Sequence, residues 1–358
     1  MKIVTIIGAR PQFIKSSVVS LSLKKRLIEE VVIHTGQHYD NNMSSIFFDE
    51  MKIPNPKYFL NINNLNHGAM LGKMVEEIEI ILLNEHPSYV LLYGDTNSTL
   101  AGALAASKLN IKIIHIEAGL RSFNTKMPEE VNRILTDRVS SLLFCPSFDS
   151  YNNLVKEGYL NFNSKIFISG DVMMDTTFYY KQFSRKPVNY NIPSKFVLCT
   201  IHREDLTNNY NDLYNLLNIL NNLSDKINIV IPLHPRTKSI LSTFNFNFKN
   251  TKIIFIDPIG YLEMLWCIEN SLFIMTDSGG LQKEAYYLDK YCITLRSETE
   301  WVELVDNKYN FLIHRNEKLL FNTFNFCLEN KPNFNNKNIY GSGNSSDLIV
   351  DKIIEFNN

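Results

Sequence analysis

The chain has 358 residues, of which 45% are hydrophobic and 20% charged, the balance of a globular protein with room for two domains. Lysine and arginine total 36 against 37 aspartate and glutamate, so no global field favours nucleic acid or an anionic membrane, and an anionic ligand must be met locally. The opening apolar run is cut short by Gly8 and Arg10 without a small-residue cleavage site, which argues against a signal peptide, and no stretch reaches the roughly 18 apolar residues of a membrane span.

In chain order, short apolar runs predict buried strands at 2–7, 31–35, 89–93, 112–116, 141–145 and 165–169, each followed by Gly, Pro or Asp. Amphipathic stretches lie between them, such as 69–84, where Met70, Met74, Ile78 and Leu82 recur at spacing four. Strand and helix in alternation imply a parallel sheet covered on both faces. After Gly170 and Asp171 the pattern restarts, with strands expected at 196–200, 227–232, 252–256, 272–276 and 291–295 and helices at 212–223, 261–269 and 280–288. The segment 321–344 is Asn-rich and poorly patterned, whereas 347–356 carries an apolar helical stripe expected to dock on the first domain. The expectation is an α/β protein of two Rossmann-like domains, 1–171 and 172–340, facing across a cleft, with 341–358 returning to the first and a hinge near 170–175. Cys145, Cys199, Cys267, Cys292 and Cys327 show no ligand spacing and read as reduced core thiols in the cytoplasm.

Open parallel sheets bind ligands beyond the carboxyl ends of their strands, so the residues there carry the functional reading. Gly8, Arg10, Pro11 and Lys15 combine a turn, a helix start and cations suited to a diphosphate, yet lack the GxGxxG pattern of a dinucleotide site. Asp95 and Glu117 end neighbouring strands; Asp95 also reads as a helix cap, but a charge ending an apolar strand, as Glu117 does, needs a partner or a purpose. Glu129 and Arg133 stand four apart on one helix face and also suit an ordinary ion pair. In the second half His202-Arg203 and His234-Pro235-Arg236 follow strands and make that crevice cationic. Ser278, Gly279 and Gly280 run from a strand straight into a helix, so that backbone amides and the helix dipole form an anion nest, with Glu284 one turn on.

Taken together, GARPQFIK at 8–15, TGQHYD at 35–40, YGDTNST, HIEAGLRS, PEEVNR, the two His motifs, DPIGYLEML at 257–265 and TDSGGLQKEA resemble the non-hydrolysing UDP-N-acetylglucosamine 2-epimerases. The resemblance implies the two-domain glycosyltransferase-B architecture, a diphosphate on Ser278, Gly279 and Gly280, ribose on Glu284, and further ligand contacts from Arg10, Lys15, His234 and Arg296. It matches Asp95, Glu117, Glu129, Arg133 and His202 to the family's catalytic positions. Thr299-Glu300-Trp301-Val302-Glu303 stands where TERPE is usual, and this looks like the subgroup acting on UDP-2,3-diacetamido-2,3-dideoxyglucuronic acid. The stretch His67-Gly68-Ala69-Met70 lacks the glutamine of an activating second site, which argues against such regulation.

The expected reaction inverts the sugar 2-position by elimination and readdition of UDP through a 2-acetamidoglycal, with no metal or redox cofactor. It would supply mannosamine-type sugars for surface polysaccharide such as lipopolysaccharide O-antigen. The expected partners are a UDP-sugar and a second copy of the chain, with no nucleic acid and no membrane. A glycosyltransferase of the same fold would release UDP only with acceptor present, and a hydrolysing epimerase would release it from the sugar nucleotide alone. A non-catalytic sugar-nucleotide sensor would not need the carboxylates.

Overall fold

The structure, a computed structural model, describes residues 1–37, 51, 53–244, 246–248, 251–313 and 316–357; His38, Tyr39 and Asp40 of the TGQHYD motif lie outside them. Two compact units emerge, Met1–Tyr179 with Asn338–Asn358, and Tyr180–Lys337.

In the first unit, strands β1 (Lys2–Ile7), β2 (Glu29–His34), β3 (Tyr58–Phe59), β4 (Tyr89–Tyr93), β5 (Lys112–Ile116), β6 (Leu142–Cys145) and β7 (Lys165–Ile168) alternate with helices. These are α1 (Arg10–Lys25), α2 (His67–Glu85), α3 (Asn97–Lys108), α4 (Pro128–Val139), α5 (Phe148–Lys156) and α6 (Val172–Lys181), which runs across the boundary to the second unit. All strand pairs are parallel, in the order β3-β2-β1-β4-β5-β6-β7. Val4, Ile6, Ile33, Val90 and Leu92 pack with Met74, Ile78 and Leu82 of α2 in one core, which is what the spacing-four stripe requires. Strand order reverses between β1 and β4, and such a switch point opens a crevice at the strand ends.

Glu85 closes α2 with a buried carboxylate that accepts from Lys57 at 2.6 Å, Tyr58 at 2.6 Å and Lys2 at 3.1 Å. The Lys57 and Tyr58 bonds outweigh burial and hold it at about 2 against an ordinary 4.5. A carboxyl depressed on folding stabilises in full above its unfolded value and loses that contribution as pH falls through its folded one. The melting temperatures of the parent and Glu85→Gln should therefore differ most above pH 4.5 and converge as pH approaches about 2. A difference independent of pH overturns this account.

The second unit repeats the plan with β8 (Phe196–Thr200), β9 (Asn228–Pro232), β10 (Ile254–Ile256), β11 (Ile274–Thr276), β12 (Cys292–Thr294) and β13 (Asn310–Leu312). The order is β10-β9-β8-β11-β12-β13, again all parallel, with its switch point between β8 and β11. Its helices are α7 (Glu204–Thr207), α8 (Tyr210–Leu223), α9 (Pro235–Thr243), α10 (Tyr261–Asn270), α11 (Gly279–Tyr287), α12 (Val302–Asp306) and α13 (Glu317–Glu329). Helix α13 occupies the start of the segment expected to be unpatterned. Leu320, Phe324 and Cys327 form its buried stripe and Asn316 caps it, a pattern that the surrounding asparagines obscured. All five cysteines are free and buried.

The last helix, α14 (Ser345–Asn357), packs within the first unit on α1, burying Ile349, Val350 and Ile353. Ser22 of α1 and Arg26 just after it bond its Asp347, and Arg26 also bonds Asp351. The unit boundary falls at Tyr179/Tyr180 and not after Asp171. Residues 170–175 are fastened within the first unit: the Asp171 amide donates to the Tyr340 carbonyl, and the Asp175 carboxylate accepts from the Ser345 and Ser346 amides. A hinge at 170–175 would have to break these bonds. No helix among the described residues is long and apolar enough to cross a membrane.

Candidate functional site

At the first switch point, the turn after β1 is bolted by Gln12. Its side-chain oxygen accepts from the Gly8 and Ala9 amides at 2.8 and 3.1 Å, and its nitrogen donates to the Tyr93 carbonyl and the Thr99 hydroxyl, each at 2.9 Å. This fully enclosed amide joins the ends of β1 and β4. Gly8 has no room for a side chain, because a Cβ there would press into Thr35 and Ser98.

Asp95 leaves the end of β4, and its carboxylate takes a 2.5 Å bond from Arg133 of α4. It is not the cap of α3. Thr96 fills that position, accepting from the Thr99 amide, and so leaves Asp95 to the ion pair. Glu117, at the end of β5, pairs with Lys15 of α1; Lys15 was expected on phosphate and here is engaged by carboxylate. A Cβ on Gly94 would lie 3.1 Å from the Glu117 carboxylate, so the glycine lets the two turns approach. Removal from bulk water raises the Asp95 carboxyl, Arg133 opposes that shift, and the nearby Glu117 charge adds to it. Two carboxylates and two cations thus share one crevice.

Arg133 does not pair with Glu129, which is exposed in the first turn of α4. Its other nitrogen donates to buried Glu130 at 3.0 Å. Glu130 in turn accepts from the Ser122 amide and hydroxyl and the Phe123 amide, at 2.8–2.9 Å. The helix start places residue 130, not 129, on the inward face, and a pattern of i and i+4 alone did not reveal that choice.

In the second unit, His202 follows β8 and Asp277 follows β11 across the switch point. Asp277 is buried; its carboxylate accepts from the His202 and Arg203 amides at 2.8 and 2.9 Å and lies 3.0 Å from His202 Nδ1. Burial raises this carboxyl, but the His202 ring and the two amides more than offset it and hold it below the ordinary value. The His202 ring itself is half-buried. His234 caps α9 by accepting from the Arg236 amide, and its ring lies 5.5 Å from that of His202. Arg236 turns back to Thr207 and Asn208 and so holds a loop.

Ser278 caps α11 by accepting from the Leu281 amide. A Cβ on Gly279 would press into the Glu300 carboxylate, whereas one on Gly280 would meet nothing within 4 Å. The open side of the nest is therefore at Gly280. Trp301 is itself buried: its indole donates to the Gly279 carbonyl at 2.9 Å and Lys283 lies 4.0 Å from its ring. It braces the nest and cannot be a surface that reads the sugar. Glu284 is likewise buried, in the middle of α11. Beside the nest, Arg203, Asp277, Arg296 and Glu298 line a cavity of about 370 Å³; Arg296 bonds Glu300 at 2.9 Å. Among the described residues no group of three metal-ligating side chains assembles.

Residues 22–354 match the family model described as UDP-N-acetylglucosamine 2-epimerase. The chain belongs to that family. It is 46% identical over 353 residues to the UDP-2,3-diacetamido-2,3-dideoxy-D-glucuronate 2-epimerase of Pseudomonas aeruginosa, covering 98% of this chain and 99% of that one. It is 48% identical over 364 residues to a UDP-N-acetylglucosamine 2-epimerase homolog of Methanococcus maripaludis, with 98% and 99% covered. The crystal structure of Methanocaldococcus jannaschii UDP-GlcNAc 2-epimerase in complex with UDP-GlcNAc and UDP is similar at a TM-score of 0.91 and 42% identity, covering 99% of this chain and all of that one. The protein is an epimerase, an enzyme of the isomerase class, built on two parallel-sheet domains of the glycosyltransferase-B type.

Proposed function

We propose that the epimerase inverts the 2-position of a UDP-activated 2-acetamido sugar without net hydrolysis, and that it prefers UDP-2,3-diacetamido-2,3-dideoxyglucuronic acid to UDP-N-acetylglucosamine. The observation that carries this reading is the joint placement of Asp95 and Glu117 with Lys15 and Arg133 at the first switch point. The hydrogen at C2 has no neighbouring carbonyl to stabilise a carbanion, so departure of UDP must accompany its removal. The C1–O bond breaks toward UDP, a carboxylate takes the C2 proton, and a 2-acetamidoglycal remains. Addition of UDP to C1 with protonation at the opposite face of C2 gives the epimer, and atoms balance without a co-reactant.

In this reading the second unit holds the nucleotide and the first supplies proton transfer. The Gly279 and Gly280 amides, the α11 dipole and the arginines of this unit stabilise the departing diphosphate, with His234 and Glu284 completing the nucleotide site. Asp95, Glu117 and Glu129 exchange protons, while His202 with Asp277 offers a further acid–base edge. Two faces of C2 need two relays, and groups with separated pKa values can divide them. Arg203 and Arg296 beside the cavity suit the extra carboxylate of a uronic acid, and the Pseudomonas aeruginosa relative is named for that substrate. A homodimer, a cytoplasmic location and a role in supplying surface polysaccharide belong to the same reading.

The test is an NMR time course with each sugar nucleotide in deuterated water. We expect the uronic acid to turn over faster, deuterium to enter C2 of both epimers, and UDP not to accumulate. Faster turnover of UDP-N-acetylglucosamine reverses the preference. Net release of UDP identifies hydrolysis, and an unchanged spectrum with retained binding identifies a sensor.

A further inference from the structure

The residues that α4 buries are Glu130, Asn132, Arg133, Thr136 and Asp137, all polar, while Val131 and Leu135 remain 40% and 44% exposed. A helix on a parallel sheet ordinarily turns its apolar stripe inward, and buried polar groups are tolerated only where they are satisfied. Arg133 and Asn132 hold the carboxylate and the backbone carbonyl of Asp95. Asp137 and its partner His115 are fully buried and take no part in the chemistry above.

Their bonds converge on the same two turns. His115 Nδ1 lies 2.7 Å from Asp137 Oδ1, and His115 Nε2 lies 2.7 Å from the carbonyl of Gly94, the residue before Asp95. Asp137 Oδ2 accepts from the Gly119 amide at 3.1 Å and from Arg121 at 2.7 Å, just beyond Glu117. Arg121 also donates to the Leu120 carbonyl and to both oxygens of Glu157. The turns need such restraint, because Gly94, Glu117 and Gly119 have φ of 61°, 74° and 78°. For glutamate that left-handed backbone is strained and persists only where surroundings over-determine it.

We infer that Asp137, acting through His115 and the Gly119 amide, is a positioning residue that sets the Asp95 and Glu117 turns relative to each other for proton transfer. This rests on the proposed roles of those two carboxylates. One buried carboxylate spans both turns, so their separation does not depend on either strand end alone. Proton transfer is sensitive to such placement, since a displacement of about 1 Å can cost roughly 10²-fold in rate.

The experiment compares His115→Leu, which fills the space without polar bonds, with His115→Gln, which keeps an amide donor for the Gly94 carbonyl. UDP affinity, kcat, KM and deuterium wash-in at C2 are measured for both with the sugar nucleotide that the parent turns over. We expect both variants to bind UDP like the parent, and kcat in His115→Leu to fall by about 10²-fold with little change in KM. His115→Gln should recover at least about tenfold of that loss. Equal activity of the two variants means His115 merely fills space and overturns the inference. Asp137→Asn, which preserves shape, should show the same fall in kcat, and full activity there overturns it too. Asp95→Asn separates the two readings. If it retains full exchange, the proton-transfer role of Asp95 on which this inference rests fails; if it is inactive while His115→Leu remains fully active, only the positioning role fails.

Discussion

Asp95→Asn, Glu117→Gln and Glu129→Gln should each lose solvent-deuterium wash-in at the sugar 2-position by about 10²- to 10⁴-fold, the usual range for a missing proton-transfer group. Each change preserves shape and removes the basic oxygen. Nucleotide affinity should stay near that of the parent, because the diphosphate nest and its helix belong to the other unit. The three variants are not equivalent physically. Asp95→Asn also leaves Arg133 with Glu130 as its remaining carboxylate, and Glu117→Gln leaves Lys15 without its charged partner. Glu129 is exposed, so its loss should change rate with little effect on melting temperature. If one folded variant exchanges at the parent rate, that residue is structural, and if all three do, elimination through a glycal held by these carboxylates is wrong.

Gly280→Val should weaken UDP binding by on the order of 100-fold while leaving the fold intact. The Leu281 amide is taken by the Ser278 cap, so the Gly279 and Gly280 amides remain for an anion at the start of α11. Charge-assisted bonds of this kind are worth about 1.5–3 kcal/mol each, and about 3 kcal/mol corresponds to roughly 100-fold in affinity. A Cβ at 280 meets nothing within 4 Å, so a branched side chain can be accommodated and would stand in the open space beside the nest. Gly279→Val behaves differently, since its side chain would press into the Glu300 carboxylate; it should destabilise the second unit. Calorimetric titration with UDP and thermal melts of both variants separate the two effects. Unchanged UDP affinity in a folded Gly280→Val would remove the diphosphate from this helix end.

Much of this architecture is legible in the chain. Strands at 2–7, 89–93, 112–116 and 196–200 coincide with the observed ones, since each is a largely buried apolar run. The short edge strands Tyr58–Phe59 and Asn310–Leu312 carry no such run and escape notice. In the candidate site, Asp95, Glu117, His202 and Ser278 stand out because each directly follows a strand or opens a helix. Gln12 and Asp277 sit inside recognised motifs yet give no local sign of what they hold. Trp301 stands in the stretch that resembles the subgroup, and only the fold shows it as a brace beneath Gly279.

The order of residues by itself determined two rounds of strand and helix, their parallel arrangement, the family, and the strand ends at which the candidate site residues stand. These follow from periodicity and from turn chemistry, which act over a few residues. Only the tertiary structure decided that Arg133 takes Asp95 and Glu130 and not Glu129, that Lys15 meets Glu117, that His202 leans on Asp277, and that His115 and Asp137 fasten both carboxylate turns. Most of these partners lie on different elements, and strand order in the sheet and the rotation of each helix about its axis decide whether they meet. Both are set by burial of the whole core, which no local window of sequence contains.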